Sequence, residues 1–208
     1  NQNYTGTGSF TLDFNPAIFR LVGTYTKTDF LNPWPATRNI TEIGNFINTA
    51  RTENVEAEDG AFSLKYTHIF SANSFLEVSG GLSFQNLNRF DPYLKDNWLS
   101  YGDSVANANV GWVWDRSRDP IEDQNKDRRY QRPTQYNIFI FNFFDTGDVV
   151  ASYQKFNRQN LNFSAAFSSQ ITKQHNLKIG GEYQLWDIRN FSFNNERIML
   201  LPGKIDAD

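Results

Sequence analysis

The stretch from Gln159 to Phe193, QNLNFSAAFSSQITKQHNLKIGGEYQLWDIRNFSF, constrains this chain most. In its first half Leu161, Phe163, Ala165, Phe167, Ser169 and Ile171 alternate with Asn162, Ser164, Ala166, Ser168 and Gln170. Thr172 to His175 form a polar turn. The period then resumes, with Leu177, Ile179, Gly181, Tyr183 and Leu185 against Lys178, Gly180, Glu182, Gln184 and Trp186. Successive strand side chains point to opposite faces, so the pattern predicts a β-hairpin with one apolar and one wet side. Runs of about eleven residues exceed the usual soluble strand and match the 9–11 tilted residues that cross a bilayer in a barrel. The wet face is small and polar, as a lumen requires. A soluble β-sandwich shares the alternation but carries more charge on its solvent face.

The same grammar recurs upstream. Residues 8–14 and 17–27 alternate around Asn15-Pro16. Residues 61–70 and 75–88 alternate around a turn at 71–74, with Phe62, Leu64, Tyr66, His68 and Phe70 facing the same way. Residues 135–157 predict a further hairpin turning at Asp145 to Asp148, which crosses the membrane or stands in the loop above it. Two segments lose the period and read as long loops. The first, 28–60, holds Glu53, Glu56, Glu58 and Asp59, with a short helix expected near Ile40 to Ala50; the second is 89–134. Short connections at 15–16, 71–74, 145–148 and 172–175 fall at one end of the sheet. The long loops, and a short link near 158–160, fall at the other. Bacterial outer-membrane barrels have this asymmetry, with short periplasmic turns and long extracellular loops.

Composition removes other classes. Cysteine is absent from the 208 residues, which excludes disulfides and thiolate chemistry. A net charge of −3, with clustered basic residues only around Arg128, Arg129 and Arg132, gives no footprint for nucleic acid. A mean hydropathy of −0.59 does not oppose a barrel, because only alternate strand residues face lipid. The opening NQNYTGTG has no leader pattern, and the chain closes on KIDAD rather than an aromatic residue. The expectation is therefore an internal piece of a longer product.

At YTHIFSANSFLEVSGGLSFQN (66–86) and SSQITKQHNLKIGGEYQ (168–184) the chain resembles TonB-dependent outer-membrane receptors, Bacteroidota-type and Oar-like. Tyr66-Thr67-His68 leading to Ser74-Phe75 fits that pattern, although Leu76 stands where it often has Tyr. Gln170, His175, Lys178, Gly180 and Glu182 fit its next hairpin, and Tyr101-Gly102-Asp103 is similar too. The resemblance covers roughly 60–193. It implies an all-β fold: about eight strands of a 22-stranded antiparallel transmembrane barrel, residues 1–208 forming part of that single domain, with the plug and remaining strands absent. It also implies import of a scarce nutrient or macromolecular cargo across a bacterial outer membrane. Partners would be outer-membrane lipid, the TonB system acting through the plug, and a surface lipoprotein or other outer-membrane subunits. Two rivals share the strand pattern: a small structural or adhesive barrel, and a soluble sandwich module.

No Ser/His/Asp arrangement, phosphate loop or paired catalytic carboxylate is recognisable, so no enzyme and no cofactor is expected. His68 and His175 read as interfacial and turn residues. Asp115, Ser117, Asp119, Glu122, Asp123, Asn125 and Asp127 could offer oxygen ligands to Ca²⁺. Interleaved Arg and Lys make a self-compensating charged loop the preferred reading, and no metal site is assigned. The ligand-binding candidates are Trp98, Tyr101, Trp112 and Trp114, with Arg116 and Arg118 as charged partners. Trp, Tyr and Arg dominate binding hot spots, and the alternative is that these rings pack the loop onto itself.

Overall fold

A computed structural model describes residues 1–32, 48–114, 128–130, 135–138, 141–144, 147, 149 and 152–193. Its strands are β1 (Gln2–Asp13), β2 (Ala17–Asn32), β3 (Glu53–Ser71), β4 (Ser74–Phe90), β5 (Gln135–Ile138), β6 (Phe141–Phe144), β7 (Tyr153–Gln170) and β8 (Asn176–Phe193). Six of them form one antiparallel sheet in the order β1-β2-β3-β4-β7-β8, while β5 and β6 pair only with each other. The chain is therefore all-β, and its large sheet is not closed: β1 and β8 are edges. No helix among the described residues is long and apolar enough to cross a membrane, which says nothing about strands.

Register gives this sheet its character. Residues directly opposite in an antiparallel pair share a face. Leu12 lies opposite Phe19, Phe19 opposite Tyr66, Tyr66 opposite Val78, Val78 opposite Ala165, and Ala165 opposite Gly181. A second row runs Phe10, Leu21, Leu64, Gly80, Phe163, Tyr183, and a third Gly23, Phe62, Leu82, Leu161, Leu185. Every apolar set read from the sequence thus lands on one side. That side is uncovered: Phe163 is 52% exposed, Ile179 63% and Leu185 53%. The opposite face carries Thr24, Ser63, Ser79, Ser164 and Gln184, with Ser79 and Ser164 sharing a hydrogen bond of 2.7 Å between hydroxyls.

The connections alternate in length as expected. Phe14 to Pro16 close β1–β2, where the Phe14 amide donates to Ala17 O at 2.8 Å. At β7–β8 the His175 amide donates to Thr172 Oγ1 at 3.1 Å. The three tight turns of the six-stranded sheet sit at one end, and its long connections 33–52 and 91–152 at the other.

Several boundaries differ from the sequence reading, for one physical reason. The strands run 12 to 19 residues, beyond the alternating stretches. Glu53, Glu56, Glu58 and Asp59 lie on β3 rather than in a loop, and β4 continues through Phe90. The link near 158–160 is not a break, because Arg158, Gln159 and Asn160 pair with Gln85, Phe84 and Ser83 within a continuous β7. Alternation reports a contrast between the two faces, whereas the ladder needs only backbone. Where both faces become polar the period lapses and the strand does not. The 135–157 hairpin is corrected as well. Its strands are four residues each, too short to cross a bilayer, and β6 has ended before the expected turn at 145–148. The helix expected near Ile40 to Ala50 falls largely outside the described residues, and 48–51 form a 3-10 turn.

At Gly180 an added Cβ would sit 2.6 Å from a backbone atom, Ala165 O. A carbonyl within a ladder cannot swing aside as a side chain can. Gly180→Val should cost about 1–3 kcal/mol, the usual scale of overpacking, read as a lower urea midpoint. Gly181→Ala, whose Cβ meets nothing within 4 Å, should leave that midpoint nearly unchanged.

Candidate functional site

At the long-loop end the chain folds into a cap with a small core of its own. Phe90, Leu94, Tyr101, Val149 and Tyr153 are buried together, with Trp98, Ala106, Val110 and Phe193 against them. Local sequence explains its pieces. Asp91 ends β4 and accepts from the Tyr93 and Leu94 amides at 3.0 and 2.9 Å, which turns the chain away from the sheet. Asp103 caps helix α1 (Ser104–Asn109) by accepting from the Val105 amide at 2.9 Å, a standard N-cap for an Asp. Within α1, Asn107 is buried and its amide donates to the carbonyls of Ser100, Tyr101 and Asp103.

Arg51 ties the first loop to the second. Its side chain is fully buried and its Nε donates to Asp91 Oδ2 at 2.7 Å. Nη1 donates to Asn107 Oδ1 at 2.7 Å and to Gly147 O at 3.2 Å. The guanidinium lies 5.7 Å from the Tyr93 ring and 5.5 Å from the Trp112 ring. Gly147 completes the knot: its amide donates to Asn48 Oδ1 at 2.8 Å, and its carbonyl also accepts from Trp114 Nε1 at 2.9 Å. With φ of +93° and both indoles within 3.4 Å of where a Cβ would stand, only glycine suits that position. Below the knot, buried Glu53 accepts from the Ser152 amide at 3.1 Å and from Asn32 Nδ2 at 2.9 Å.

The proposed binding residues divide three ways in this arrangement. Tyr101 and Trp114 are buried, at 0% and 7% exposure, and hold the cap together. The Tyr101 hydroxyl donates to Lys95 O and accepts from the Asp91 amide, and burial raises its pKa well above the ordinary phenol value. Trp112 is half-buried and meets Tyr93 edge-on at 5.5 Å. Trp98 is half-buried and stacks on Phe193 at 5.1 Å and 13°. It forms one wall of a groove of about 520 Å³, whose other sides are Tyr153, Lys155, Asn157, Gln159, Asp187, Arg189 and Phe191. Arg116 and Arg118 lie outside the described residues, as does the acidic run from Asp115 to Asp127. Among the described residues no group of His, Asp and Glu is placed to hold a metal ion. Both histidines have simple settings. His68 Nδ1 lies 2.9 Å from the Tyr66 hydroxyl on the apolar face, and His175 closes the β7–β8 turn.

Sequence reasoning missed Arg51, Asp91, Asn107 and Asn48, since nothing in their spacing announces a contact between residues 40 to 99 apart. Asp103 ahead of SVANAN was a legible helix start. No family model and no curated protein matches this chain.

Two outcomes test the cap. Arg51→Met strands the buried Asp91 carboxylate and should cost about 3–5 kcal/mol. Amide exchange should then rise together at 48–52 and 91–114; a rise at 48–52 alone would refute the joint packing. The second concerns Asp103. Burial opposes its ionisation, but hydrogen bonds from Arg129 and the Val105 amide outweigh that and lower its pKa. A carboxylate with a lowered folded pKa stabilises fully above the ordinary value near ~4, and loses that contribution as pH falls through the folded value. Protection of α1 relative to β3 should fall over that acid window, and Asp103→Asn should abolish the dependence.

Proposed function

We propose that this chain is part of a transmembrane β-barrel of the bacterial outer membrane, a TonB-dependent receptor that binds and imports a nutrient or macromolecular cargo. The supporting observation is the single exposed apolar face shared in register by six long strands. From Leu161 to Ser169 on β7, and Leu185 to Leu177 on β8, the apolar rows span nine residues. At about 3.3 Å per residue and a tilt near 40° this is a band of about 20 Å, close to the ~25 Å apolar belt of such barrels. In a soluble protein an apolar face this wide would need a covering layer. In lipid the hydrocarbon is that layer, and the backbone groups at the β1 and β8 edges require further strands. The rings Phe19, Tyr66, His68, Phe70 and Phe167 follow one another at 4.7–6.2 Å near the turn end, as an interfacial aromatic girdle would.

In this reading the tight turns face the periplasm and the cap faces outward. Strand backbone is committed to neighbours and the apolar face to lipid, so cargo recognition falls to the polar lumen face and the cap. Trp112 presents surface there, with Tyr101 and Trp114 supporting the cap from inside, while Trp98 sits at the cap's flank against Phe193. The activity is binding and import, with no chemical step assigned to the chain.

The test is reconstitution of the full-length protein. Phe163→Arg and Ile179→Arg should each cost about 2–4 kcal/mol of folding stability in lipid vesicles, while Ser164→Arg on the opposite face should cost far less. Equal costs on both faces, or a protein that stays monomeric and soluble without detergent, would favour a soluble sandwich. Import tests the finer assignment: cells carrying the protein should lose uptake of its cargo when TonB is removed.

A further inference from the structure

We infer that the groove between Trp98 and strands β7–β8 is a seat for the phosphorylated sugar headgroup of an outer-leaflet glycolipid, an inference that rests on the membrane reading above. Tyr153, Lys155, Asn157 and Gln159 of β7 and Asp187, Arg189 and Phe191 of β8 lie on the same face as the apolar band. The band begins at the next row, where Leu161 pairs with Leu185. A lipid whose acyl chains cover Leu161, Phe163 and Leu185 places its headgroup at the height of Gln159, Asp187, Asn157 and Arg189. The groove is thus continuous with the proposed lipid face, and Trp98 closes it from above.

The groove offers two cations, Lys155 and Arg189, two side-chain amides, one carboxylate and an aromatic wall. Cations and amides suit a phosphate with neighbouring hydroxyls, and aromatic rings suit the apolar faces of sugar rings. Its volume of about 520 Å³ falls within the ~300–1,000 Å³ of small-ligand sites. The cations are accessible, with Lys155 57% and Arg189 78% exposed at the side chain. They are held by exposed carboxylates, Lys155 by Asp96 at 3.7 Å and Arg189 by Asp187 at 2.7 Å. Such surface pairs are weak, so a phosphate can replace either carboxylate as the cation's partner.

The wall is built independently of any ligand. Trp98 stacks flat on Phe193, contacts Phe191 at 5.3 Å and lies 6.2 Å from Tyr153. These rings occupy a face that is otherwise polar above the band, beside Asn86, Asn88 and Glu56. A loop that folds outward over that face, rather than across the lumen, leaves a shelf directly above the headgroup layer.

The full-length protein would be placed in phosphatidylcholine nanodiscs doped with either lipid A or phosphatidylglycerol, and bound lipid counted by native mass spectrometry after detergent extraction. Lipid A should be retained by the parent and by Lys178→Gln, a control at the turn end. Retention should fall about tenfold or more in the Lys155→Gln/Arg189→Gln pair, the scale of losing charged hydrogen bonds. Trp98→Ala should weaken it with both cations present, and inorganic phosphate should not compete. Equal retention by parent and double variant, with unchanged heat-modifiable mobility, would overturn the site while leaving the barrel reading intact. Equal retention of phosphatidylglycerol and lipid A would overturn its glycolipid character. Failure of the parent to enter nanodiscs at all would remove the membrane reading and this inference together.

Discussion

The structure depends on cross-strand register. A strand repeats every two residues, so sliding one strand by a single position would send its whole apolar set to the other side. Five successive pairings here keep the alternating apolar residues of each strand, such as Phe10, Leu21, Leu64, Leu82, Phe163 and Ile179, on one face. The penalty for a slip is largest when the two faces meet different solvents. One apolar band kept in register across six strands accounts for how a sheet with almost no side-chain burial holds one arrangement.

The cap follows the opposite logic. Its stability comes from enclosure, with Arg51 and Asp91 removed from solvent together and Asn107, Gly147 and two aromatic rings completing the guanidinium's surroundings. A buried ion pair gains little over an apolar replacement but is costly to half-remove, so it fixes geometry more than it adds stability. Arg51 makes 48–53 and 91–114 parts of one body. Loops joined in this way present a fixed surface, which suits recognition better than two independent segments.

Between these two regimes lies the stretch where β7 and β8 leave the apolar band and reach the cap. There the face that carries the apolar band passes from Leu161 and Leu185 through Asn157 and Arg189 to Tyr153 and Phe193 within five rows of the ladder. Under the proposed membrane reading, apolar, polar and aromatic layers in that order would meet hydrocarbon, headgroup and protein-covered surface. The proposed lipid seat occupies the middle layer.

The sequence by itself determined three of the four hairpins, their tight turns, the apolar set of each strand of the large sheet and the end at which the long connections gather. These are local properties: a period of two, a Pro or a Thr–His turn, a loss of alternation. It could not mark where strands end, because β3 and β7 continue past their alternating parts on backbone pairing alone, where both faces are polar. It could not show that β5 and β6 stand apart from the sheet. Above all it could not separate the aromatic residues of the second loop into supports and surface. Tyr101 and Trp98 are three residues apart and alike in composition terms, yet one is fully buried and the other walls a groove. That difference arises from partners beyond each residue's own turn, Asp91 and Lys95 of the same loop for the first and β8 residues far along the chain for the second, and only the folded chain brings them into contact.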